Sequence, residues 1–176
     1  RVILRSIETG TYTPVGTRAA LALVQLRNEL DPLAAEALID GLIAEHPSSP
    51  FFGSLRLIAL YDSNQPEALA EEAKRQAELF ASGHYPPERA AQVHFAAGLA
   101  EFRWMNWAAA EAAYEKAVAE GDPTDPFVTW AQLHLGNIQD VQGDRKGARK
   151  TYHEVEDLLN RWGTERLAER YLKNPF

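Results

Sequence analysis

Residues 98–117 read GLAEFRWMNWAAAEAAYEKA and residues 136–155 read GNIQDVQGDRKGARKTYHEV. Gly98, Ala110, Tyr114 and Ala117 recur as Gly136, Ala148, Tyr152 and Val155, each 38 positions later. A fixed period of this length marks a helical repeat, in which each unit buries its apolar face against the next, rather than a catalytic domain. Each copy reads as helix, short turn, helix. The glycine supplies a small residue where two helices approach closely, and Ala, an aromatic and another small residue follow down the second helix. Between the copies, Gly121-Asp122-Pro123-Thr124-Asp125-Pro126 is a connection that no helix crosses.

Two weaker units lie upstream. Ala35, Ile39 and Leu42, closed by Pro47, repeat the second-helix pattern, with Leu23 and Leu26 on the helix before it. The next unit, roughly residues 51–80, places Phe52, Leu55 and Ala59 on its first helix but offers either Ala68 or Leu69 as the small position of its second. Asp31-Pro32, Ser49-Pro50 and Asp125-Pro126 each set a capping oxygen before a proline, which is tolerated at the first helical position because that N–H has no partner. Pro66 and Pro87 read as similar starts, and Asp144 as a further N-cap. Near the end, Gly163 stops one helix and Thr164 opens another, with Leu167, Ala168, Tyr171 and Leu172 at helical spacing and Arg166, Glu169, Arg170 and Lys173 facing away. An amphipathic last helix of this kind covers the final apolar face of a repeat array. Residues 1–16 lie outside the pattern; Val2, Ile3, Leu4 and Thr11-Tyr12-Thr13 favour β structure there, and the segment reads as the irregular remnant of an upstream region. The chain reads as cut at Arg1 and as ending naturally after Asn-Pro-Phe.

With 176 residues, 45% apolar and 24% charged, the chain can bury a substantial core. It has no cysteine, so disulfides, thiolate metal sites and cysteine nucleophiles are excluded. No apolar run approaches the ~18 residues of a membrane span, and no signal peptide is recognised. The net charge of −7 argues against a broad nucleic-acid surface, which needs a basic stripe to displace counterions. The one basic cluster, Arg145, Lys146, Arg149 and Lys150, reads as a solvated helix face.

The spacing of these units resembles the tetratricopeptide repeat. That family's unit is about 34 residues, with Leu-Gly in the first helix and Ala, a bulky aromatic and Ala in the second. Leu135-Gly136 with Ala148, Tyr152 and Val155 fits one unit, and Ala97-Gly98 with Ala110, Tyr114 and Ala117 the one before; Gly143-Asp144 and Met105-Asn106 stand where the family places its helix-to-helix turn. The resemblance spans residues 17–162 as about four repeats, most clearly from residue 91 onward, with residues 163–176 as a capping helix. It implies an all-α solenoid, a right-handed superhelix whose first helices line a concave groove for an extended peptide or a partner helix. Alignment of the repeats puts Gln92, Phe95, Leu99, Phe102 and Arg103 from one unit in that groove, and Trp130, Leu133, Asn137, Asp140 and Val141 from the next. Phe95, Leu99, Phe102, Arg103, Leu133, Asn137 and Asp140 are taken as the binding set. Asn137 matches an asparagine used in the family to fix a ligand backbone. Leu133 and Phe95 stand where chaperone-binding members carry lysine, so the two-carboxylate clamp for peptide C-termini is not assigned. Trp104, Met105 and Trp107 add bulk near the turn; Trp107 and Trp130 read better as packing between repeats.

Catalytic apparatus is nearly absent from the sequence. The five histidines include no His-Glu-x-x-His or similar pair, and there is neither a phosphate-cradling glycine loop nor a Gly-x-Ser-x-Gly elbow. His94 and His134 lie on successive first helices, but their repeat positions differ by two, which turns them about 200° apart. Glu101 and Asp140 occupy adjacent repeat positions, a weak case for acid–base chemistry. The expectation is therefore a non-catalytic protein-interaction scaffold without cofactor or metal, taken to be bacterial, with cytoplasm and periplasm both open. The alternative is an accessory repeat region of a larger enzyme or envelope protein whose active part precedes residue 1. Self-association through exposed aromatics is a third reading.

Overall fold

The computed structural model describes residue 16, residues 32–158 and residues 163–176. The expectations for residues 1–13, for Leu23 and Leu26 and for the Asp31 cap fall outside these. Among the described residues eight α-helices follow one another: α1 (Pro32–Glu45), α2 (Pro50–Asp62), α3 (Pro66–Ala81), α4 (Ala90–Arg103), α5 (Trp107–Glu120), α6 (Pro126–Val141), α7 (Arg145–Asp157) and α8 (Glu165–Lys173). A 3-10 turn, Pro87–Arg89, leads into α4, so Pro87 opens that turn and not an α-helix. The described chain is all-α, and consecutive helices pack as antiparallel neighbours within two compact units, Arg1–Tyr85 and Pro86–Phe176. The sequence reading runs the repeats on from 17 to 162 without that division.

Three corners, α2–α3, α4–α5 and α6–α7, are built alike. Each has one residue at positive φ: Asn64 at 58°, Met105 at 58° and Gly143 at 84°. The N–H of the next residue reaches back five positions, Gln65 to Leu60, Asn106 to Glu101 and Asp144 to Gln139, at 3.0, 3.0 and 2.9 Å. This left-handed closure satisfies carbonyls that a helix end otherwise orphans. Ser49 Oγ, Asp125 Oδ1 and Asp144 Oδ1 accept from the N–H groups of Phe52, Phe127 and Gly147, so these three caps form as read.

Counted from the corners, the second-helix positions line up as Leu69/Ala73/Gln76, Ala110/Tyr114/Ala117 and Ala148/Tyr152/Val155, all buried. That alignment selects Leu69, fully buried, over Ala68, which stays half-buried. The first-helix position facing the aromatic is Gly98 or Gly136 in the later corners and Leu57 in the first. A Cβ on Gly98 would stand 2.6 Å from Tyr114 Cδ1, and one on Gly136 2.8 Å from Tyr152 Cδ1. Glycine thus makes room for tyrosine, while the equivalent positions of the first corner hold Leu57 and Ala73, both buried.

In the first unit, Ala35, Ile39, Leu42 and Ile43 of α1 pack on Phe52, Leu55 and Ala59 of α2. Behind α2, Glu72 is buried and accepts from Arg75 and Gln76. Arg75 also donates to the Pro47 carbonyl at 2.8 Å, tying α3 to the α1–α2 loop. In the second unit, Leu167, Ala168, Tyr171 and Leu172 of α8 cover Leu133, Ala148, Tyr152 and Val155. The polar residues Arg166, Glu169, Arg170 and Lys173 face solvent. Ala168 is fully buried and Leu167, Tyr171 and Leu172 are half-buried against this cluster, so α8 covers the apolar face as the sequence pattern anticipates.

Candidate functional site

Five of the seven residues assigned to a groove are core residues. Phe95, Leu99, Phe102, Leu133 and Asn137 are 8%, 4%, 6%, 1% and 2% exposed. Phe95 and Phe102 belong to an aromatic cluster with Tyr114 and His134, and Phe127 and Trp107 close its edges. Leu133 lies under α8. Asn137 Oδ1 accepts from the Tyr152 hydroxyl at 3.0 Å, so it fixes a core tyrosine rather than presenting itself to a ligand backbone. The physical reason is scale: with only two first helices side by side in this unit, their large apolar side chains are consumed between helices. Arg103 is half-buried and engaged. Trp107 and Trp130 are half-buried, Trp130 against the Leu133 cluster, as the packing reading has it.

Asp140 stands apart. Its side chain is 1% exposed, yet it is a carboxylate with three donors around it. Arg145 Nη1 lies 3.0 Å from both oxygens, the Tyr152 hydroxyl donates to Oδ2 at 2.9 Å, and the backbone N–H of Phe176 donates to the same oxygen at 3.1 Å. Burial, with the Asp140 carboxylate beside it, pushes the Tyr152 phenol upward, which keeps it a donor. Arg145 Nη2 reaches on to the carbonyls of Tyr171 and Leu172 at 2.7 and 2.8 Å. A guanidinium on the last carbonyls of a helix satisfies orphan acceptors and suits the negative end of its dipole. The reading of Arg145 as part of a solvated basic face is therefore corrected: it bolts α6, α7 and α8 together. Lys146, Arg149 and Lys150 are exposed. Replacing Arg145 by Met leaves a buried carboxylate short of its cation, with an expected loss of about 1 kcal/mol after allowance for the arginine's partial exposure. Denaturant titration measures it, and an unchanged midpoint would remove Arg145 from this role.

Exposed apolar residues gather beside this corner in the sequence: Trp104 at 48% and Met105 at 68% follow Phe102, Val141 at 43% follows Asp140, and Phe176 at 46% sits on both. Elsewhere, His94 meets Glu120 at 3.1 Å and Glu101 accepts from Asn106, so neither joins Asp140. In the first unit, a recess of about 120 Å³ holds Glu36, Asp40 and Arg56, whose charges are engaged by Ser63, Gln65 and one another. Among the described residues, no three or more His, Cys, Asp or Glu are grouped to hold a metal, and no helix is long and apolar enough to cross a membrane.

Comparison with family models, curated proteins and solved structures finds no match.

The Asp140–Arg145–Phe176 constellation was not legible as a site in the sequence. Asp140 and Arg145 are separated by only a turn, a spacing consistent with a pair across a helix corner, but nothing in the sequence brings Phe176 to them.

Proposed function

We propose that the chain is a non-catalytic protein-interaction module whose helical hairpins are repeats of the tetratricopeptide type arranged as a solenoid. Its contact surface in the second unit is the α4–α5 corner and the adjoining end of α6, in place of the buried set. The observation that carries this reading is Met105. It holds φ at 58° where the matching corner uses Gly143, and its side chain is 68% exposed. An unbranched side chain in the left-handed region costs on the order of 1 kcal/mol, and an apolar one in water regains nothing by burial. Strained residues of this kind cluster at functional positions. Trp104 next to it adds the large rigid aromatic area typical of binding hot spots.

Met105→Gly is therefore expected to raise the melting temperature by a few degrees, since about 1 kcal/mol shifts a domain of this size by ~4–8 °C. Together with Trp104→Ser it is expected to weaken capture of a protein partner from the native host by tenfold or more. Capture unaffected by both changes, with the fold intact by circular dichroism, would rule out this surface.

A further inference from the structure

Phe176 occupies the second unit in the manner of a bound peptide residue. Its N–H is given to a buried carboxylate, its ring lies 5.8 Å from Phe102 and meets Tyr171 edge-on at 5.3 Å. Asn174 is extended, at φ −128° and ψ 121°, as a residue before proline is required to be. Residues 173–176 are nevertheless exposed, and Phe176 keeps 46% of its surface in water. The seat, by contrast, is built from the inside. Asp140 is held by Arg145 and Tyr152, and Phe102 by Trp107, Tyr114 and His134.

We propose that this seat is a peptide subsite for an aromatic residue, and that residues 174–176 are its internal occupant, displaced when a partner binds. The proposal rests on the protein-interaction reading above and gives the partner's chemistry: an extended segment carrying phenylalanine or tyrosine, with a free backbone N–H on that residue. Asp140 selects for the N–H, because a buried anion accepts a donor and repels a carbonyl oxygen. Phe102 and Tyr171 select for the ring through edge and tilted contacts. Trp104, Met105 and Val141, beside these groups in the sequence and exposed, are then available to the residues flanking the aromatic. A tethered occupant competes at an effective concentration in the millimolar range, so an external peptide binds the intact chain more weakly than a chain whose own aromatic is removed.

The probe is a fluorescently labelled, C-terminally amidated peptide of sequence Tyr-Leu-Lys-Asn-Pro-Phe, titrated by anisotropy against the parent chain and against Phe176→Ala. The variant is expected to bind at least tenfold more tightly. A peptide with alanine for its phenylalanine, and one methylated on the phenylalanine nitrogen, are each expected to lose at least tenfold against the same variant. Equal affinity for parent and variant, or undiminished binding of the methylated peptide, overturns the proposal. Circular dichroism at the titration temperature checks that the variant is folded. Should it not be, Phe176→Leu, which keeps apolar bulk without the ring, is expected to gain about threefold, and no gain is equally fatal. If partner capture depends on Trp104 and Met105 while the peptide ignores Phe176→Ala, the subsite proposal alone fails. If the peptide responds as stated but capture ignores Trp104 and Met105, the corner surface fails and the subsite stands.

Discussion

Gly136→Leu is expected to lower the melting temperature of residues 86–176 by about 15 °C. A bare Cβ at position 136 already meets the Tyr152 ring, with Cδ1 at 2.8 Å, and that ring cannot move aside. Tyr152 is fully buried, its hydroxyl is shared between Asn137 and Asp140, and Tyr171 packs on its ring at 5.6 Å. Overpacking of such a contact costs up to about 3 kcal/mol, which converts to that shift for a domain of this size. Gly98→Leu is expected to act similarly against Tyr114. The double change Gly98→Leu with Tyr114→Ala copies the Leu57 and Ala73 pair of the first unit and is expected to recover most of the loss. A double variant no more stable than the sum of its parts would break the equivalence of the three corners.

Acid is expected to destabilise the second unit through one residue. His134 is buried between Tyr114, stacked on it at 5.2 Å, and Phe102, edge-on at 4.9 Å, with Phe95 and Trp130 around it. Its Nδ1 finds no hydrogen-bond partner among the described residues. Burial lowers its pKa to about 4, because a charged imidazolium has no solvent or counter-ion there. The unfolded chain takes up this proton near its ordinary value of 6.5 and the folded chain does not. Stability is therefore intact above about pH 6.5 and falls as the pH drops from there towards 4. By linkage the loss between pH 7 and pH 5 is about 2 kcal/mol. Denaturant midpoints measured across that range for the parent and for His134→Leu should show a slope in the first that is largely absent in the second. Parallel slopes would place the titration elsewhere.

The repeat was readable from residues 98–155 because its signature is local and geometric. Gly98 and Tyr114, and Gly136 and Tyr152, occupy complementary volumes, and the period between the pairs survives without any knowledge of contacts. The helix starts at Pro50 and Pro126 and the amphipathic stripe of α8 were readable for the same reason, since caps and stripes are properties of short segments. The repeat around residues 51–80 was readable only to within one residue. There Leu57 and Ala73 exchange the large and small partners, and a pattern that looks for a small residue before an aromatic cannot register a swap that conserves their summed volume.

The candidate groove shows where local pattern ends. Repeat alignment named Phe95, Leu99, Phe102, Leu133 and Asn137 as facing outward, but alignment says on which side of a helix a residue lies and not how much chain covers that side. In the second unit α4 and α6 lie against each other and α8 closes over α7, so those side chains are spent on the core. Arg145 reads as one of four exposed cations until α8 is placed, after which it faces two helix-terminal carbonyls and a buried carboxylate. The sequence by itself determined the all-α class, the hairpin corners of the second unit and the amphipathic last helix, because each depends on residues within a turn or two of one another. Only the tertiary structure decided which apolar faces are covered and that Phe176 meets Asp140, 36 positions away, because burial is a property of everything packed around a residue.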